Sequence, residues 1–167
     1  VRGFASNHLF EVGLQFSGIA PNQQHMAATG IRTGNAVEAA YDGALFTQKT
    51  RPVDAFTAKA DALAALAALG MAKCDVIAGA PGWYHPGRCG TLTLGGKIVL
   101  GYFGELHPKL LADMDVDTPV VGFELFLEAL PTPRAKGKAR PALQVSDFQA
   151  VNRDFAFIVD AKVTAAD

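Results

Sequence analysis

The run GTLTLGGKIVLGYFG, Gly90 to Gly104, limits the possible folds more than any other stretch, because two β-rich segments joined at Gly95-Gly96 read as an antiparallel hairpin. In its second arm Ile98, Leu100 and Tyr102 are expected on one face and Val99 and Phe103 on the other. Apolar side chains on both faces predict an inner strand, covered above and below.

Other segments supply partners for such a hairpin. HLFEVGLQF sets Phe10, Val12, Leu14 and Phe16 against Glu11, Gly13 and Gln15, the alternation of a half-buried strand. The loop SGIAPNQQ ends it, and HMAATGIRT, His25 to Thr33, is expected as a second strand broken by Gly30 and Gly34. In RPVDAFTAKADALAALAALGM the period becomes helical: Phe56, Ala60, Leu63 and Ala67 recur on one side, Leu66 and Leu69 widen the stripe, and Gly70 stands at the C-cap. CDVIAG reads as a short buried strand, and HPKLLADM as a helix with Pro108 in its first turn, where a missing N–H costs nothing. VVGFELFLEAL alternates again, Val121, Phe123, Leu125 and Leu127 against Glu124, Phe126 and Glu128. Strands following strands with helices interspersed predict an α+β domain on an antiparallel or mixed sheet.

At 167 residues there is room for one well-filled core but not for two large domains. Charged residues are 19% of the chain, below the roughly 25% of an average soluble domain, so an obligate partner is expected to cover part of the surface. A net charge of -1 provides no domain-wide positive field for nucleic acid, and any RNA contact must be local. The place for it is PTPRAKGKARPAL, whose cations Arg134, Lys136, Lys138 and Arg140 have no acid among them and whose prolines and glycine mark a linker. The expected organisation is a module over 1–130, a basic linker over 131–147 and a final stretch, 148–167, opening a further domain. In that stretch VNRDFAFIVD reads as an amphipathic strand with Phe155, Phe157 and Val159 on its apolar face. Cys74 and Cys89, fifteen positions apart, form neither a zinc nor a disulfide pattern and read as reduced, cytosolic thiols. No window approaches the 18 apolar residues of a membrane span, so no membrane partner is expected. The opening VRGF and the closing VTAAD suggest a piece of a longer chain.

Candidate chemistry gathers at two His-Pro steps. Glu105 and His107 in GYFGELHPKLL could share a face, but the pair is half a zinc constellation and no H-E-x-x-H motif accompanies it. His107 precedes Pro108, which biases it away from helix and towards a capping role. In WYHPGRCG, His85 lies in the expected loop before the hairpin, within reach of His107, while Pro86-Gly87 suits a turn and Arg88 suits an ion pair with Glu105. The alternative is a free-standing small-ligand or metal enzyme using His85, Arg88, Glu105 and His107. No P-loop, nucleophile elbow or complete dinucleotide fingerprint occurs; Gly101 to Gly104 lacks the third glycine.

LFEVGLQF, VDAFTAKADALAALAALG, YHPGRCGTLTLGGKIVLGYFGELHPKLL, VVGFELFLEAL and FQAVNRDFAFIVD, in this order, resemble the C-terminal region of bacterial phenylalanyl-tRNA synthetase β chains. The resemblance covers nearly the whole chain, and HPGR with GELHP is its most specific part. It implies a class II synthetase catalytic-like module, an antiparallel sheet flanked by helices, then the start of a ferredoxin-like anticodon-binding domain. Active class II modules hold ATP phosphates with two arginines, one on a strand and one on a helix after a glycine-rich strand. Here the matching stretches are NHLFEVGLQF, without arginine, and GYFGELHPKLL, which keeps Gly101 and Gly104 but ends in Lys109. The resemblance therefore implies a non-catalytic module, with Glu105, His107 and Pro108 marking a strand-to-helix junction. It further implies that an α chain binds ATP, magnesium and phenylalanine, and that an (αβ)2 assembly with a second β subunit charges tRNA-Phe. The chain departs from the family at Gln149, where proline usually follows Phe148.

Overall fold

In the computed structural model, residues 6–36, 51–71, 73–132, 148, 149, 151, 153–160 and 163 are described. The chain divides into two compact units, Val1–Pro133 and Arg134–Asp167. The expected basic linker residues Arg134, Lys136, Lys138 and Arg140 lie outside the described residues.

The first unit is α+β. Its strands are β1 (Asn7–Phe16), β2 (Gln24–Thr33), β3 (Asp75–Ala78), β4 (Tyr84–Leu94), β5 (Ile98–Leu106) and β6 (Val120–Phe126), with helices α1 (Ala55–Ala68) and α2 (Pro108–Asp113). The strands form one sheet in the order β1-β2-β6-β5-β4-β3, antiparallel at every step. The hairpin forms as the sequence predicts: Gly95 and Gly96 both have positive φ, and the Lys97 N–H donates to the Leu94 carbonyl across the turn.

Two cross-strand rows organise the sheet. The first runs Phe10, Gly30, Phe123, Phe103, Gly90, Ala78 through all six strands. A Cβ at Gly30 would lie 2.6 Å from the Phe123 ring, and one at Gly90 would lie 2.6 Å from the Phe103 ring. Each glycine is thus the floor on which a neighbour's ring rests. Gly30 does not break β2, contrary to the sequence expectation; it is buried inside the strand and gives Phe123 its place. The second row lies on the opposite face and reads Glu11, Thr29, Glu124, Tyr102, Thr91, Ile77.

Helix α1 covers the phenylalanine row over β5 and β6 and reaches β2. Asp54 caps it by accepting from the Thr57 N–H at 2.8 Å. At the other end Gly70, φ 88°, closes a Schellman turn in which Met71 N–H donates to the Leu66 carbonyl and Gly70 N–H to the Ala67 carbonyl. The buried stripe is Ala58, Ala62 and Leu66; of the predicted stripe Leu66 is buried and Leu63 packs partly against the core, while Phe56, Ala60, Ala67 and Leu69 are exposed. A helix so rich in alanine is apolar on most sides, so periodicity alone does not fix which side faces the sheet. The core joins this stripe to Leu92, Leu100, Phe103, Val121, Phe123 and Leu125. Burial of each such leucine contributes roughly 2 kcal/mol.

Three further expectations change. Leu100 shares the core with Phe103 instead of alternating with it, because pairing steps from Leu92↔Gly101 to Thr93↔Val99 and leaves Leu100 as a bulge. β3 is an exposed edge strand, not a buried one, since among the described residues β4 is its one strand neighbour. In the second unit, residues 153–160 join no ladder, although Phe155 and Phe157 stack with centroids 6.2 Å apart.

Candidate functional site

The two His-Pro steps meet at one end of the β4–β5 ladder. Tyr84 pairs with Leu106, and the His107 N–H donates to the Trp83 carbonyl at 2.8 Å. His85, Pro86, Gly87 and Arg88 are not a loop before the hairpin: they lie inside β4 as a wide bulge, because pairing resumes only at Cys89↔Gly104. The bulge brings Arg88 to Glu105, and the guanidinium Nε donates to Oε2 at 2.5 Å.

Both histidines turn inward on their own backbone. His85 Nδ1 accepts from the Gly87 N–H, and His107 Nδ1 accepts from the Lys109 N–H, each at 3.1 Å. In both cases the donor is the residue after proline, so the imidazole supplies an acceptor for the first N–H that follows the proline ring. His107 is thereby the N-cap of α2, with Pro108 in the first turn. Among the described residues no group of three or more His, Cys, Asp or Glu could hold a metal ion. Beside the Arg88–Glu105 pair, a groove of about 300 Å³ runs along Pro108, Leu111, Val116 and Pro119.

The remaining charges decide what the sheet can do. Its strands contain two arginines, Arg32 and Arg88, and no lysine. Arg32 is held by Asp61 of α1 in a two-pronged pair, Nε to Oδ2 at 2.5 Å and Nη2 to Oδ1 at 2.6 Å. Arg32 and Glu105 both pair with Val121 in register, so both ion pairs sit on the side covered by α1. The opposite, polar face presents the carboxylates Glu11 and Glu124. Glu124 is buried, accepts from the Trp83 indole N–H at 3.0 Å, and is hydrogen-bonded to Tyr84. Burial, and then the adjacent Glu124 carboxylate, push the Tyr84 phenol far above its ordinary range. Burial likewise raises the Cys74 and Cys89 thiols, which leaves neither as an activated nucleophile.

A triphosphate needs fixed cations. On this sheet both strand guanidinium groups are bound to carboxylates, and the opposite face carries the carboxylates Glu11 and, buried, Glu124. The described strand residues therefore offer no unpaired fixed cation to an ATP phosphate chain, and no described group of side chains makes a ligand set for its metal.

Residues 2–127 match the family described as the phenylalanyl tRNA synthetase beta chain CLM domain. The chain belongs to this family. It is 53% identical over 167 residues to the phenylalanine–tRNA ligase beta subunit of Paramagnetospirillum magneticum, a match covering 98% of this chain and 20% of that protein. The like-named subunits of Mesorhizobium japonicum and Brucella suis are 47% and 48% identical, covering 98% and 99% of this chain and 21% of each relative. The chain thus spans about a fifth of the length of these relatives. A crystal structure of pyrrolysyl-tRNA synthetase from Desulfitobacterium hafniense overlays with TM-score 0.49 at 16% identity, over 72% of this chain and 39% of that one, too slight a likeness to place a site.

In this CLM domain the sequence singled out His85, Arg88, Glu105 and His107 and missed Arg32, Asp61, Trp83 and Glu124. Arg32 was visible only as a cation near the end of the expected second strand, and Asp61 as one acid in an alanine-rich helix. Neither signal pairs them without the fold.

Proposed function

We propose that the chain is the catalytic-like module of a phenylalanine–tRNA ligase β subunit, from its C-terminal region, followed by a basic linker and the start of an anticodon-binding domain. The module does not form aminoacyl-adenylate. It serves as scaffold and subunit interface in a cytoplasmic (αβ)2 enzyme whose α subunits bind ATP, magnesium and phenylalanine, and which charges tRNA-Phe. The linker cations Arg134, Lys136, Lys138 and Arg140 offer local contacts to RNA phosphates.

Family membership supports the assignment to the β chain, and one observation carries the non-catalytic reading: both strand arginines are neutralised by Asp61 and Glu105 on the covered side, while the other side presents Glu11 and Glu124. Under this reading His85, Arg88, Glu105, His107 and Pro108 shape the junction between β4, β5 and α2.

The test uses the assembled enzyme. Arg32→Ala and Arg88→Ala, assayed where the variants remain folded, are expected to keep the rate of phenylalanyl-adenylate formation within about 2-fold. Losing a cation that stabilises transition-state charge costs on the order of 100-fold or more. A loss of that size in either variant, with assembly intact, overturns the reading.

A further inference from the structure

Among the described residues, the α1 side of the sheet is only partly covered. Helix α1 lies over β5 and β6 and reaches β2. A helix about 10 Å across shields about two strands spaced at roughly 4.8 Å, so after touching β2 it leaves the β1 edge of the same face uncovered. That end is apolar. Phe10, Val12, Leu14 and Phe16 project on this side and are 65%, 52%, 51% and 63% exposed. Between this stripe and α1 runs a groove of about 280 Å³, with Phe10, Gly30 and Phe123 as its floor and Arg32, Asp61 and Ala65 along its α1 wall.

We infer that this groove and stripe are the seat of a second amphipathic helix, lying beside α1 and supplied by the part of the same β chain outside these 167 residues. The dimensions match. Phe10 to Phe16 is seven residues, six steps that make about 20 Å of strand, and a helix of about 13 residues has that length. α1, which covers the neighbouring strands, has 14 residues. The α1 wall of the groove is low and electrically quiet, because Ala65 is small and Asp61 is already matched by Arg32. A second helix can therefore approach α1 closely and lay an apolar stripe on β1. An exposed row of four large apolar side chains calls for such a cover.

The relatives carry about four fifths of their length beyond the stretch matched here, ample chain for one helix. A helix tethered in the same polypeptide docks without the loss of translational freedom that a separate subunit incurs. The inference rests on reading the chain as part of a longer β subunit, and it is independent of whether the module binds ATP.

The experiment places p-benzoylphenylalanine at Phe10 or, separately, at Phe16, in the full β subunit of the assembled enzyme. Both positions are already aromatic and exposed, and only preparations of wild-type assembled mass are irradiated. Mixing heavy- and light-isotope β chains before assembly distinguishes links within one chain from links between copies. The expected product joins the probe to a helical peptide of the same β chain outside residues 1–167. Cross-links to an α subunit, to the other β copy or to a peptide within residues 1–167 overturn the inference, as does the absence of any protein cross-link at both positions. None of these outcomes bears on nucleotide binding, so the proposed function stands or falls separately.

Discussion

Gly30 and Gly90 work through what they lack. The Phe123 and Phe103 rings rest where a Cβ would be, and the two phenylalanines pair with each other across β5 and β6. Adding one methyl at Gly30 must push the Phe123 ring out of the core against α1, an overpacking cost of about 1–3 kcal/mol. Gly30→Ala is expected to lower the denaturant midpoint accordingly, with the slope unchanged. A variant as stable as the parent would show that the ring yields freely. Sequence reading could not assign this role. It sees a glycine within an expected strand as a break, because the residue that needs the space is more than ninety positions away in the chain and one strand away in space.

Elements were legible where a local signal specifies them. The Gly-Gly hairpin, the Pro108 helix start, the Gly70 stop and the alternation in β6 all follow from backbone chemistry within a few residues. The buried side of α1, the Leu100 bulge and the HPGR bulge depend on neighbouring strands, and local periodicity misplaced them. Two predictions belong at this scale. His107 caps α2 through Nδ1, so His107→Ala is expected to cost about 1 kcal/mol while His107→Asn, whose side-chain oxygen can accept the same bond, restores most of it. Equal losses in thermal melts of the two variants would contradict the cap.

The other concerns Asp54, whose pKa moves against its burial. Desolvation raises it, but bonds from the Thr57 backbone and side chain, with the Arg51 charge, outweigh this and hold it below the ordinary carboxylate range. A carboxyl depressed in the folded state adds stability that is complete above its unfolded value and is lost as pH falls through its folded value. The contribution of Asp54 is therefore present at pH 6 and fades below about pH 4. Asp54→Asn, still a capping side chain, is expected to flatten the loss of stability between pH 6 and pH 3 relative to the parent. An unchanged slope in urea titrations across that window would contradict the cap's ionic share.

For the whole molecule, the antiparallel α+β architecture and the family were readable from motif order, and the match over residues 2–127 agrees with them. The disposition of charge was half readable. The missing arginine in β1 is a fact of sequence, but the capture of Arg32 by Asp61 and of Arg88 by Glu105 arises only when strand, helix and bulge come together. The same holds for Glu124, an ordinary polar position in the alternation of β6 until Trp83 and Tyr84 close on it. The result is a sheet whose two strand arginines are spent on its own structure, Arg32 on the helix above it and Arg88 on the neighbouring strand. Photolabelling the assembled enzyme with 8-azido-ATP and mapping the modified peptides tests this most directly. Saturable label is expected on the companion subunit alone; saturable label, competed by ATP, on residues 7–33 or 98–113 of this chain would contradict the account.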